Sequence, residues 1–100
     1  MTALLGPAGD VRLRLVHKEL RLPARVRILE VIAASGPLIP KQVARLTGGR
    51  AHSVSEHMNR LLVAGLIDRS RGYVNGHPAL PGRITPLGSH CLWFAQQVIR

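Results

Sequence analysis

Five histidines (His17, His52, His57, His77 and His90) and a single cysteine, Cys91, are the residues of this chain best suited to hold a metal or to attack a substrate, and their spacing supports neither role. No two histidines stand four apart, and no His-Glu-x-x-His stretch sets two imidazoles on one side of a helix. His52 and His57 are five apart, which places them about 140° apart around a helix axis. A lone cysteine makes neither an intrachain disulfide nor a cysteine-based zinc knuckle, and Cys91 reads as a small buried hydrophobe. Catalysis is equally unsupported. The chain has no paired carboxylates and no nucleophile beside a base, and Gly48-Gly49 is too short for a phosphate-cradling loop. The expectation is a protein without metal or cofactor that is not an enzyme.

What remains is charge. Fourteen basic residues face five acidic ones, a formal net charge of +9. That excess asks for a polyanionic partner, and nucleic acid fits best because neutralised phosphates release condensed counterions. A membrane surface fits less well, since no segment is basic on one face and rich in aromatics on the other. Twelve of the fourteen basic residues are arginine, which suits bidentate contact with phosphate or guanine, although a GC-rich genome would enrich arginine as well. With 46% hydrophobic and 19% charged residues over 100 positions, the chain has the make-up of one globular domain spanning 1–100 rather than a disordered tail. No apolar run approaches the ~20 residues of a membrane span. Met1 to Asp10 lacks the basic start of a signal peptide, so a cytoplasmic, nucleoid-associated location is expected.

The charges must be held by elements that the apolar pattern and the breakers define. Residues 11–22 fit a strand or an amphipathic helix, with Leu13, Val16 and Leu20 favouring the helix. Pro23 opens a helix over about 24–34 with Val26, Leu29, Ile32 and Ala33 on one stripe and Ile28 beside it; Ser35-Gly36-Pro37 ends it. Pro40 opens a two-turn helix with Val43, Ala44 and Leu46 inward. Gly48-Gly49 turns the chain, with at least one residue at positive φ. A third helix then runs from about His52, with Val54, Met58, Leu61 and Leu62 on one face and Gly65 closing it. Leu66 to Ser70 and Arg83 to Thr85 read as strands of a hairpin. In the stretch between them Asn75-Gly76 is a favoured turn, while Pro78 and Pro81 are expected to cap the pairing and stiffen the loop. Pro86 opens a last helix with Leu87, Cys91, Leu92, Ala95, Val98 and Ile99 on one face. The fold class is mainly α with a small β-hairpin: a winged helix-turn-helix, core about 24–86, with terminal segments 11–22 and 87–99 expected to dimerise.

Ser53-Val54-Ser55-Glu56-His57-Met58, followed by Arg60-Leu61-Leu62 and by Ala64-Gly65-Leu66-Ile67-Asp68-Arg69, resembles the recognition helix and first wing strand of MarR and ArsR type regulators. Ile84-Thr85-Pro86-Leu87-Gly88 is similar to the strand-to-helix junction of MarR proteins. The resemblance covers about residues 24–90. It implies a dimeric regulator with its recognition helix at 52–64. The chain is shorter than a typical MarR protein, whose long terminal helices form a ligand pocket, and it lacks the cysteine-rich metal motif of many ArsR proteins; no small-molecule ligand is indicated.

A helix about 10–12 Å across fits the major groove of double-stranded DNA. On that reading Ser53 or Ser55 holds phosphate, while His57, Asn59 or Arg60 reaches a base edge, with His52 at the start of the same helix. Lys41 on the bracing helix and Arg50 at the turn clamp the backbone, and Arg69, Arg71 and Arg83 at the base of the wing lie along neighbouring phosphates or the minor groove. Glu56 is expected to pair with Arg60 four residues on. Arg12, Arg14, Lys18, Arg21, Arg25 and Arg27 are expected to form a solvated face. Leu92, Trp93, Ala95, Gln96 and Ile99 form the candidate interface of a homodimer, because two of the three aromatics fall on a helix with little interior left to cover them. Two other functions share the fold and charge: an architectural chromatin protein of low sequence specificity, and a winged-helix module that meets protein instead of DNA.

Overall fold

A computed structural model describes residues 18–74 and 76–99, the side chains of 74, 98 and 99 aside. Most of the expected 11–22 segment therefore lies outside the described residues, as do Asn75 and the side chain of Ile99. Among the described residues the order is α1 (Pro23–Ser35), α2 (Pro40–Thr47), α3 (Ala51–Val63), β1 (Ile67–Arg69), β2 (Gly72–Val74), β3 (His77–Ala79), β4 (Gly82–Ile84) and α4 (Pro86–Ile99).

Prolines open three of the four helices because the first helical position needs no N–H and wants the φ that a proline ring imposes. Glycines close them: the Gly36 N–H bonds to the Ile32 carbonyl at 3.0 Å and the Gly48 N–H to that of Ala44 at 2.8 Å. Gly48 takes φ +77° and Gly65 φ +79°, the left-handed conformation expected after a helix end. The start of α4 is the most tightly specified junction. The Thr85 hydroxyl accepts from the Gly88 N–H at 2.9 Å, capping the helix, and donates to the Gly65 carbonyl at 2.7 Å.

The core joins Ile28, Leu29, Val31 and Ile32 of α1 to Val43 and Ala44 of α2, Val54, Met58 and Leu61 of α3, and Cys91, Leu92 and Ala95 of α4, with Leu66 and Ile67 entering the wing. Three inward expectations fail. Leu46, Ala33 and Leu62 are exposed: Val43 and Ala44 already fill the contact face of the two-turn α2, the buried arc of α1 runs through Val31, Ile28, Ile32 and Leu29 and leaves Ala33 beyond its edge, and Leu62 lies about 80° round the axis of α3 from Val54.

The wing departs further from expectation. Ile67–Arg69 pairs antiparallel with Gly82–Ile84, and Gly72–Val74 pairs with His77–Ala79. Both ladders lie in one register: stepping from Ile67↔Ile84 leads without slip to Val74↔His77, so the supposed loop is a second half of the same hairpin. The two prolines act differently within it. In an antiparallel pair, hydrogen-bonded and non-bonded positions alternate. Counting back from the closing pair Val74↔His77, Tyr73↔Pro78 is a non-bonded position, where a missing N–H costs nothing. Pro81 falls opposite Ser70 at a bonded position, and there the ladder breaks. Gly82 is non-bonded towards Arg69 and turns outward instead, exchanging bonds with Leu38 at 3.1 and 2.7 Å. Gly76 supplies the turn with φ +80°.

Candidate nucleic-acid interface

The segment joining α2 to α3 is held by its own side chains. The Thr47 hydroxyl donates to the Val43 carbonyl at 2.9 Å and accepts from the Gly49 N–H at 3.4 Å. Gln42 Oε1 accepts from the Ile39 N–H at 3.0 Å at the other end of α2. Arg50 occupies the N-cap position of α3 without a side-chain cap, and no acidic residue lies in the first turn. The first N–H groups of α3 are thus available to an anion.

Val54, Met58 and Leu61 fix the inner face of α3. His52, Ser53, Asn59 and Arg60 are exposed on the outside, while Ser55 and His57 are half-buried on its flanks. Lys41 and Arg50 are exposed, as are Arg71 and Arg83 on the wing. Arg69 is half-buried, because its Nε donates to the Leu80 carbonyl across the hairpin at 2.8 Å. Glu56 pairs with His52 at 3.4 Å rather than with Arg60, and both partners are largely exposed. The i, i+4 rule allows either direction along the helix, and the partner towards the N-terminus is the one taken.

Arg25 is not part of a solvated face. Its guanidinium pairs with Glu19, both side chains being only 14% and 12% exposed, and its Nε donates to His57 Nδ1 at 3.1 Å. A nitrogen that accepts from a guanidinium carries no proton, so Nε2 is the donating nitrogen of the neutral ring. Arg25, Glu56, His57, Asn59 and Arg60 line one open depression of about 390 Å³. The structure therefore joins three of the expected base-reading residues to an arginine of α1. Glu19, Arg25 and His57 are separated by 6 and 32 residues, intervals that match no helical or strand spacing and so leave no signal in the sequence.

On α4, Leu92 and Ala95 are buried in the chain's own core, and Gln96 Nε2 donates to Glu30 Oε2 at 3.3 Å. Trp93 and Phe94 are 57% and 56% exposed. Among the described residues no group of His, Cys, Asp and Glu could hold a metal ion, and no helix is long and apolar enough to cross a membrane.

The model of the MarR family matches residues 22–76, from the residue before α1 through the turn of the wing. The chain belongs to the MarR family. It is accordingly a winged helix-turn-helix regulator of transcription, in a family of regulators rather than enzymes. No curated protein matches the chain. Solved structures do, at identities that speak for the fold alone. The homodimeric winged helix-turn-helix DNA-binding domain of a possible ArsR-family transcriptional regulator from Mycobacterium bovis is 22% identical, with TM-score 0.76 over 92% of this chain and 82% of that one. Apo MarR from E. coli is 14% identical, with TM-score 0.71 over 99% and 76%. A Mycobacterium tuberculosis MarR family protein in complex with p-aminosalicylic acid is 21% identical, with TM-score 0.62 over 100% and 78%.

Proposed function

We propose that this MarR-family chain binds a palindromic operator as a homodimer, with α3 in the major groove and the wing on the adjacent backbone. The observation that carries the reading is the two-sided character of α3. An apolar inner face fixes the helix, and its exposed polar residues lie between cations at the turn and on the wing. Ser53, Ser55, Lys41 and Arg50 take phosphate, as do Arg69, Arg71 and Arg83. His52 flanks them, and Asn59, Arg60 and His57 read bases. With Nδ1 occupied by Arg25, His57 offers only the Nε2–H, so it selects an acceptor such as guanine N7 or O6, or thymine O4. Such contacts discriminate by about 1–3 kcal/mol each.

The dimer rests on α4. Trp93 and Phe94 lie one turn from His90 and Gln97 on a face opposite the buried Cys91, Leu92 and Ala95. Two large exposed rings on one helix face call for a partner surface, and the Mycobacterium bovis domain is homodimeric. Leu92 and Ala95 support that face from beneath, with Gln96 at its edge. The reading requires no cofactor, catalytic step or small-molecule effector, and it places the protein on chromosomal DNA in the cytoplasm.

Selection from a randomised duplex pool against bulk competitor DNA at two salt concentrations tests this, together with sedimentation of the wild type and of Trp93→Ser/Phe94→Ser. A palindrome should be enriched and lost with Arg60→Ala or His57→Ala, and the double variant should sediment as a monomer. Salt-sensitive binding without enrichment would instead make the protein architectural, a reading that the charge of +9 favours. Absence of binding would make it a protein-interaction module.

A further inference from the structure

The tip of the wing carries a side chain that the phosphate-binding role of its arginines leaves unexplained. Tyr73 is 77% exposed, and Leu80 beyond Pro78 is 49% exposed. In an antiparallel hairpin, directly opposed residues share a face, and so do alternate residues along each strand. The common register therefore puts Ile67, Arg69, Arg71 and Tyr73 on one face with Ile84, Gly82, Leu80 and Pro78 opposite them. On this face Ile67 and Gly82 are buried, Arg69 and Ile84 half-buried, and Arg71, Leu80, Tyr73 and Pro78 exposed. Residues 72–79 contain no Asp, Glu, Lys or Arg, whereas Arg69, Arg71 and Arg83 surround their base and Asp68 is the wing's only acid. An uncharged aromatic tip thus stands above a cationic collar.

We propose that Tyr73 is a minor-groove wedge: its ring, backed by Pro78, enters the minor groove beside the major-groove site of α3 while Arg71 holds the phosphate at the rim. This deepens the DNA-binding reading and rests on it. Dimensions decide what can enter. The minor groove is about 6 Å wide, too narrow for two strands ~4.8 Å apart together with their side chains. Only a single projecting side chain can reach the base edges, and Tyr73 is the largest exposed side chain among the described residues of the tip. Its neighbours leave room for it, since Gly72 and Gly76 carry no side chains. Its support is constrained by two prolines and by a base tied to Leu38 through the paired bonds of Gly82. Docking such a hairpin orders little that was not already ordered. Charge chooses the partner. The arginine collar attracts a polyanion, and a DNA groove is the polyanionic surface that offers sugar walls and base edges to an apolar ring.

The test uses the full chain, the operator obtained by selection, and the variants Tyr73→Ala, Tyr73→Phe and Arg71→Ala. Each is titrated across a salt series against duplexes whose flanks are A·T, G·C or inosine·C. Tyr73→Ala should weaken binding about tenfold or more, the scale of an aromatic contact to a base, with the slope of log affinity against log salt unchanged. Tyr73→Phe should stay within about threefold of wild type by the same scale. Arg71→Ala should lower the slope by about one phosphate. Inosine·C presents the minor groove of A·T and a major groove close to that of G·C. Flanks of inosine·C should therefore bind as A·T flanks do. Wild-type affinity for Tyr73→Ala, or inosine·C flanks that behave as G·C, would overturn the wedge while leaving operator binding intact. So would loss of dimer mass by Tyr73→Ala in sedimentation, which would make the ring a protein contact. A wild type that binds no duplex would overturn the DNA-binding reading and the wedge together.

Discussion

Replacing Gly88 with alanine probes the closest approach in the fold. A Cβ at this position would lie 2.0 Å from the Leu66 carbonyl oxygen, 2.9 Å from its carbon and 2.9 Å from Ile84 Cγ1. Carbon and carbonyl oxygen in contact stand about 3.3 Å apart, so the start of α4 must retreat from β1 by more than 1 Å. No flexible side-chain tip can give way, because the obstruction is backbone at a fully buried residue. The retreat would stretch the bond from the Thr85 N–H to the Leu66 carbonyl, now 3.1 Å, and that from the Thr85 hydroxyl to Gly65. Overpacking costs about 1–3 kcal/mol, and each weakened hydrogen bond adds about 1 kcal/mol. The better helix propensity of alanine returns at most ~1 kcal/mol. The net loss is about 2–4 kcal/mol, equivalent to a fall in Tm of roughly 10–25 °C for a domain of this size. Urea and thermal melts followed by circular dichroism measure it. Gly48→Ala is the control: it has positive φ but open space around it, so it pays only the left-handed penalty of about 1–2 kcal/mol. If Gly88→Ala were as stable as the wild type, or lost less than Gly48→Ala, the close packing of α4 on the wing would be refuted.

Two further substitutions test the bonds that hold the reading surface. Arg25→Met leaves the Glu19 carboxylate without its guanidinium and His57 Nδ1 without a donor; because the pair is not wholly buried, the loss should be about 1–3 kcal/mol, below the range for fully buried pairs. Urea melts should show Arg25→Met/Glu19→Gln regaining part of that loss, and a double variant no more stable than the single one would show that the stranded charge is not its source. Thr85→Val keeps the shape of the side chain but removes the α4 cap, and should cost about 1–2 kcal/mol in the same melts while Thr85→Ser costs less; equal losses for Val and Ser would deny the hydroxyl its role.

The features legible in the sequence were those with local causes. Pro23, Pro40 and Pro86 mark helix starts, and Gly48 and Gly65 mark ends, because the backbone conformations required there are ones these residues alone adopt cheaply. The helix-turn-helix followed from those marks and from the spacing of Val54, Met58 and Leu61. The wing was only half legible. Pro78 and Pro81 carry the same missing N–H, and only the parity of the register tells that one is harmless and the other breaks the ladder. The outward face of α3 could be named, but the link from Glu19 through Arg25 to His57 could not, since it joins residues with no periodic relation. On α4 the apolar content was plain while its division was not: Leu92 and Ala95 turn inward and Trp93 outward, a partition decided by where α1 lies.

These contacts leave little freedom inside the reading surface. A Cβ on Gly82 would come within 2.8 Å of Met58 Cε, so the wing base packs directly on the inner face of α3. The Leu38 bonds to Gly82 fasten the same point to the segment before α2, and Arg25 fastens α1 to α3. Recognition helix and wing therefore move as one body. In the proposed dimer, the quantity left to vary is the separation and tilt of two such bodies, set by α4 and whatever covers Trp93 and Phe94. A ligand shifts an equilibrium only by its differential affinity for the two states. A molecule that bound one body away from its DNA-facing surface, leaving the spacing unchanged, would have no such difference to exploit; control of operator binding has to cover that surface or alter the spacing.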